Sequence, residues 1–404
     1  MLPFYLFVFM LWPFGAVLAS LRFYNAQITK NIIWLFVIFY GYTFVLSNDT
    51  MDANRIKEKF EYIYFNNFSF SGLLQYFLLD NEDSTDIVQP IIFYFVSKFT
   101  TNFYILMAVL GAIFGYFYSR NFCYILDRSG GKVSSYNYIL LFLFIVVIGF
   151  WDINRFRFAT ATMIFLYATL PYLYEGNKKR LWLIFLSFLV HFSYLFPATI
   201  FVIYLILKNR SSLYFWTFIV SFFLVSVDAS AVGEILVRLL PSNLHYKVMA
   251  YTNEEYVLEQ AENIKSISYI MRYLMFFIIN TLFAIFYLKF RNQIKSDVYF
   301  NNLFCFTLLI MAATNFISIV PSGIRFLSLS ALFSLTFMFF YFQRYGIPKK
   351  YKLLLDISVP VFIISSLGYL RLGLNTIDII MVIGNPIIAL YDTVTRVALI
   401  DLLR

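Results

Sequence analysis

Charge is scarce in this chain: only 13% of its 404 residues are Asp, Glu, Lys or Arg, while 61% are hydrophobic and the mean hydropathy is +0.76. So few charges cannot solvate a soluble fold of this size, which excludes a water-soluble enzyme and leaves a polytopic membrane protein. Cysteine is nearly absent. Cys123 and Cys305 lie far apart, in or beside apolar runs, which argues against a disulfide framework or a thiolate metal site. Alternation of polar and apolar residues is missing too. The apolar runs are long and continuous, so the spans are helices and not the strands of an outer-membrane barrel. No Gly-rich phosphate loop, internal repeat, low-complexity tract or soluble domain is visible. The net charge of +9 is carried by short basic clusters between apolar runs, a pattern that orients helices in a bilayer and does not suggest nucleic acid. The first twenty residues lack a basic leader, so 2–21 reads as a retained span and not a cleaved signal.

What the chain does contain points to an all-α polytopic membrane protein with about 11–13 transmembrane or re-entrant helices, a single integral membrane domain over 1–404. After spans at 2–21 and 31–47 comes a polar loop, 48–88, with eight acids: Asp49, Asp52, Glu58, Glu61, Asp80, Glu82, Asp83 and Asp86. Within it Ile56, Phe60 and Ile63 share one helical face, so part of the loop lies along the membrane surface. Residues 90–100 are too short to span and read as re-entrant or interfacial; 102–119 spans again. Residues 136–151 and 156–174 then form a hairpin. The run 181–207 would be about 40 Å as one helix, against a bilayer core of about 30 Å. As two half-length helices broken near His191 and Pro197 it returns to the side it left. The charge pattern chooses the break. With it, the clusters Lys178-Lys179-Arg180, Lys289/Arg291/Lys295 and Arg344/Lys349/Lys350/Lys352 share the cytoplasmic side, and the acidic loops 48–88 and 228–268 share the other. Further spans follow at 212–228, 269–288, 298–320, 324–343 and 352–370. The mixed tail, 371–404, reads as an outer-face interfacial or re-entrant segment.

Polar residues then converge on the outer face. Phe150-Trp151-Asp152-Ile153-Asn154-Arg155-Phe156-Arg157-Phe158-Ala159 places an aspartate and two arginines at a hairpin tip. His191, one of only two histidines, ends a later apolar run, and Arg325 stands in Pro321-Ser322-Gly323-Ile324-Arg325-Phe326, another turn between spans. Arg272 lies at the outer end of a further helix. Guanidinium stays charged and pairs bidentately with phosphate oxygens, so arginines clustered at headgroup depth suit a pyrophosphate. The plainer alternative is that each arginine anchors to lipid phosphate. Asp152 has its own plain reading, a pair with Arg155 one helical turn on. His191 is open between a packed or capping histidine and a catalytic one, and His245 reads as a loop residue.

The Arg-x-x-x-Ala of Arg155 to Ala159, the His-x-Ser of His191 to Ser193, the Gly-Ile-Arg-Phe of 323–326 and the two large outer loops together resemble the EpsG-like branch of the Wzy-type polysaccharide polymerases. Arg157 departs from the family's usual residue between the motif's arginine and alanine. The resemblance implies a fold related to the GT-C glycosyltransferases in the bacterial inner membrane. It implies transfer of a growing glycan from undecaprenyl pyrophosphate onto a new lipid-linked repeat unit at the periplasmic face. It further implies pyrophosphate binding by Arg155, Arg325, Arg157 and Arg272, with His191 orienting the attacking hydroxyl or a pyrophosphate oxygen, and Asp152 or a carboxylate of the outer loops as the candidate base. No cofactor or metal is called for. The partners expected are lipid-linked repeat units, membrane lipid and, as a candidate, a chain-length regulator. Asp80-Asn81-Glu82 is similar to the D-x-[DE] of metal-dependent polyprenol-phosphate transferases and keeps a metal version in view. The rival functions are an O-antigen ligase or another polyprenol-linked glycosyltransferase, and a lipid-linked oligosaccharide flippase or transporter.

Overall fold

The computed structural model describes residues 2–46, 52–75, 86–129, 133–224, 238, 267–318, 321–391 and 396–402. Of the residues named above, Asp49, Asp80, Asn81, Glu82, Asp83 and His245 lie outside these, as does most of the acidic loop 228–268. Among the described residues the only β feature is an isolated bridge between Asp378 and Ala398. All else that is regular is helix, as a bilayer requires, because a helix satisfies every backbone N–H and C=O within its own segment. Six stretches are long and apolar enough to cross a membrane: Phe103–Asp127, Ser135–Glu175, Ile270–Lys295, Val298–Ile317, Gly323–Tyr345 and Tyr351–Leu374. The chain is an all-α polytopic membrane protein.

Its first elements are α1 (Leu2–Leu11), α2 (Pro13–Arg22) and α3 (Ala26–Tyr42). The expected span at 2–21 is therefore two short helices. Pro13 brings no N–H, Trp12 is extended (φ −156°, ψ 90°), and the Trp12 indole donates to Val382 O at 2.6 Å. The loop then contributes α4 (Asp52–Phe65), α5 (Phe70–Gln75) and α6 (Val88–Ser97). As its periodicity predicts, α4 is amphipathic and buries Ala53, Ile56, Phe60 and Ile63, with the Phe60 and Phe93 rings 6.1 Å apart edge to face. Next comes α7 (Phe103–Asp127), which packs along α3 through small residues. A Cβ on Gly111 would stand 2.7 Å from Val37 O, and one on Gly115 2.8 Å from Val37 Cβ, so the pair forms a small-x-x-x-small face. Gly111→Val should therefore cost about 1–3 kcal/mol by overpacking, since a backbone oxygen cannot swing aside. An unchanged thermal midpoint of that variant in detergent would show that α3 and α7 do not meet there.

The stretch 135–175 would be about 60 Å long as one straight helix, yet it doubles back. Near its start Asn137 Nδ2 donates to Gln343 Oε1 (2.8 Å), and Gln343 Nε2 donates to Ser129 O (2.7 Å). Near its end Glu175 pairs with Arg128. Neighbouring residues thus hold both ends, and the stretch is the hairpin α8 (Ser135–Val147) and α9 (Phe156–Glu175), turned by the 3-10 segment Phe150–Arg155. The run after it is broken, as the charge pattern required. α10 (Leu183–Val190) is about 12 Å long. It stops at His191, which is extended (φ −148°, ψ 111°), and the 3-10 turn Phe192–Tyr194 leads into α11 (Leu195–Leu207). Pro197 falls in the first turn of α11, where a missing N–H costs no intrahelical bond. The returning leg ends where Asn209 Nδ2 donates to Asn302 Oδ1 (2.7 Å) and Asp297 pairs with Arg344 at 3.0 Å. We call this the basic end.

The remaining elements are α12 (Ser211–Leu224), α13 (Ile267–Lys295), α14 (Val298–Ile317), α15 (Phe326–Tyr345) and α16 (Lys349–Leu374), then the short α17 (Ile379–Ile383), α18 (Pro386–Tyr391) and α19 (Leu399–Leu402). The 3-10 turn Pro321–Arg325 joins α14 to α15 at the end opposite the basic one. The tail docks on the outgoing end of α3: Tyr40 and Thr376 share a hydrogen bond of 2.6 Å, and Val45 N donates to Thr376 O at 3.0 Å.

Candidate active site

Away from the basic end, the two arginine-bearing turns and the break in the α10–α11 run face one another. Each is a place where a helix stops for a physical reason. Before the first, Ile148 and Gly149 are extended, and the chain re-enters helix only after Asp152 has accepted a hydrogen bond from Gly149 N (2.8 Å). The second closes on Gly323, where a Cβ would lie 1.9 Å from Ile317 O. Only glycine admits that approach, and Arg325 is thereby set at the mouth of α15.

The side chains of the first turn are tied down. Asp152 is buried; its Oδ1 accepts from Arg155 Nε at 3.1 Å and from the Arg155 terminal nitrogen as well. Both carboxylate oxygens are thus engaged, and Asp152 does not line the cavity. Its geometry is that of a residue holding Arg155 in place, not of an accessible base. Asn154 Oδ1 accepts from Ala53 N at 2.9 Å, which pins the start of α4 over the turn. Phe158 lies below, edge to face with His191 (ring centroids 6.1 Å apart) and Phe326 (5.6 Å), an apolar floor under the polar groups.

A residue not singled out in the sequence organises the rest. Asp86 is 5% exposed, and its Oδ2 accepts from Arg157 Nη1 (2.8 Å) and bonds His191 Nδ1 (3.0 Å). Its Oδ1 accepts from Phe192 N at 2.7 Å. Burial alone would raise the Asp86 carboxyl. The hydrogen bond and charge of His191, the Arg157 guanidinium and the Phe192 N–H outweigh burial and hold it below its ordinary value. An ionised Asp86 only accepts, so the His191 Nδ1 carries a proton in either charge state, and in the neutral imidazole Nε2 is the acceptor.

Above this floor lies a cavity of about 350 Å³ lined by Asp52, Arg55, Ile56, Lys59, Gln89, Asn154, Arg155, Phe156, Arg157, Phe158, His191 and Arg325. A second, smaller chamber borders Arg155 and Arg325 and is lined by Arg272, Tyr273, Phe276, Ile324, Ser328 and Tyr369. Of the residues picked from the sequence, Arg155, Arg157, His191 and Arg325 meet in the main cavity. Arg272 faces the smaller one, and Asp152 stands behind Arg155. The guanidinium of Arg325 is exposed and has no ion-pair partner among the described residues. The sequence marks Asp86 only as one of the outer-loop carboxylates and gives Gln89, Arg55 and Lys59 no role. Arg55 and Lys59 had a signal, because they are spaced four apart off the Ile56/Phe60/Ile63 stripe of α4. No group of three or more His, Cys, Asp or Glu side chains that could hold a metal occurs among the described residues; Asp80 and Glu82 lie outside them.

The cavity thus offers two arginines held by buried carboxylates, a further untied arginine at 325 and one oriented imidazole. Neither the curated proteins nor the solved structures give a significant match to this chain. A family match does run over residues 57–378, from within α4 through both arginine-bearing turns and His191, and the chain belongs to the EpsG family.

Proposed function

We propose that this protein is a polysaccharide polymerase, a glycosyltransferase that moves a growing glycan from undecaprenyl pyrophosphate onto the non-reducing end of a lipid-linked repeat unit. The reaction takes place at the periplasmic face of the bacterial inner membrane, on a fold related to the GT-C enzymes. One observation carries the reading: Arg155 and Arg325, from turns about 170 residues apart in the chain, line the same cavity as His191. The cavity holds five cations, Arg55, Lys59, Arg155, Arg157 and Arg325. Asp52, Asp86 and Asp152 oppose them, which leaves two positive charges, the complement of a diphosphate diester.

In the reaction, a hydroxyl of the acceptor sugar attacks the anomeric carbon of the donor. The bond from that carbon to the diphosphate oxygen breaks, and the electron pair leaves with the diphosphate. Arg155 and Arg325 stabilise the charge that grows on the leaving oxygens. His191 Nε2 accepts the hydroxyl proton, while Asp86 holds the ring and steadies the imidazolium. Asp152 keeps Arg155 at its post, and Arg157 is the third donor on the glycan side.

Purified protein given lipid-linked repeat units alone should lengthen them, with EDTA leaving the rate unchanged. Extension that begins only when a different acceptor is supplied would make the chain a ligase. Inhibition by EDTA that Mg or Mn reverses would bring a metal to Asp80 and Glu82.

A further inference from the structure

Resting on the polymerase reading, we infer that the smaller chamber beside Arg155 and Arg325 takes the lipid-side phosphate of a polyprenyl diphosphate, and that the isoprenoid chain leaves through the seam between α13 and α16. The chamber measures about 50 Å³. That is room for about four water-sized groups, too little for a sugar ring and enough for phosphate oxygens. Arg272 lines it from α13, so three arginines border the space together with Ser328. Phe276, Ile324 and the rings of Tyr273 and Tyr369 complete its lining. Planar guanidinium donors around a small space with apolar walls match a phosphate that carries a hydrocarbon.

α13 and α16 meet beside the chamber. Ser365 Oγ donates to Met271 O at 2.8 Å, and the Arg272 guanidinium is 5.4 Å from the centre of the Tyr369 ring. Within about a turn of that contact, Leu274 and Phe277 on α13 and Ile363 and Leu367 on α16 are exposed, an apolar surface contributed by both helices. Arg155 and Arg325 border both spaces, so a diphosphate bridging them has its lipid on the α13–α16 side and its glycan on the His191 side. The leaving group and the attacking hydroxyl are then kept apart by the arginine pair.

The test uses the full chain in phosphatidylglycerol nanodiscs with labelled undecaprenyl diphosphate. That probe carries no sugar, so it reads the chamber without reading polymerisation. A benzophenone amino acid in place of Phe276 should crosslink the label, and the same group in place of Leu195, exposed on α11, should not. Ser328→Phe, which fills the chamber, and Arg272→Ala, which removes one donor, should each weaken binding of the probe at least roughly tenfold. Equal labelling at 276 and 195 would overturn the inference. So would retention of affinity within twofold in both variants, or displacement of the label by ordinary phospholipid alone. Labelling at 276 in a protein that never extends repeat units would support the chamber and remove the polymerase reading; extension with labelling elsewhere would do the reverse.

Discussion

Arg325→Ala should slow chain extension about 10²–10³-fold, the loss seen when one preorganised donor to a developing negative charge is removed. Its side chain is exposed, and no hydrogen bond or ion pair ties it to the frame among the described residues, so the variant should insert and fold as the parent does. Arg155→Ala should lose as much activity and also some stability, because it strands the buried carboxylate of Asp152. Replacement by lysine at either position should restore little, since a point charge cannot make the bidentate pair with phosphate. The measurement is product length from lipid-linked repeat units, read beside the detergent unfolding midpoint. Normal lengths in both alanine variants would take these residues out of the mechanism.

Asp86→Asn should slow extension by about 10²-fold or more, the range of a general acid–base contribution. The amide has about the carboxylate's size and can still accept from Phe192 N. It cannot also hold the His191 ring as a charged acceptor, and it leaves Arg157 without its counter-charge. The effect carries a pH signature in stability. The folded pKa of Asp86 is depressed, so the unfolded state binds more protons as pH falls. The stabilisation is complete above the unfolded value of about 3.9 and is lost as pH drops through the lower folded value. Between neutral pH and about pH 3, the parent's unfolding midpoint should fall more steeply than that of Asp86→Asn. Parallel midpoint curves would mean that Asp86 is not ionised in this arrangement.

How much of the site could be read beforehand differs from residue to residue. In a chain with so little charge, an arginine or histidine interrupting an apolar run is conspicuous, and Arg155, Arg157, His191 and Arg325 were found in that way. Asp86 was one acid among eight in a polar loop, and nothing local distinguished it. It is chosen by the docking of α6 beside α10, which carries Asp86 to His191, 105 residues further along the chain. Asp152 shows a motif position without its role. The i to i+3 pairing with Arg155 was legible, but the second bond, which engages the other carboxylate oxygen with Gly149 N, needs the turn's geometry.

Hydropathy and charge placement were enough to show a multi-pass helical protein, a break in the run 181–207, and basic links that share one end. Each of these follows from hydropathy, backbone satisfaction and the parity of charged clusters, quantities that are sums over a single stretch. Packing between distant segments sets which carboxylate holds His191, lays α4 over the arginine turn with Arg55 and Lys59 on the cavity, and stands Arg155 and Arg325 between two spaces. Those are relations between distant segments, set by side-chain shape at helix contacts, and such contacts leave no periodicity in either segment.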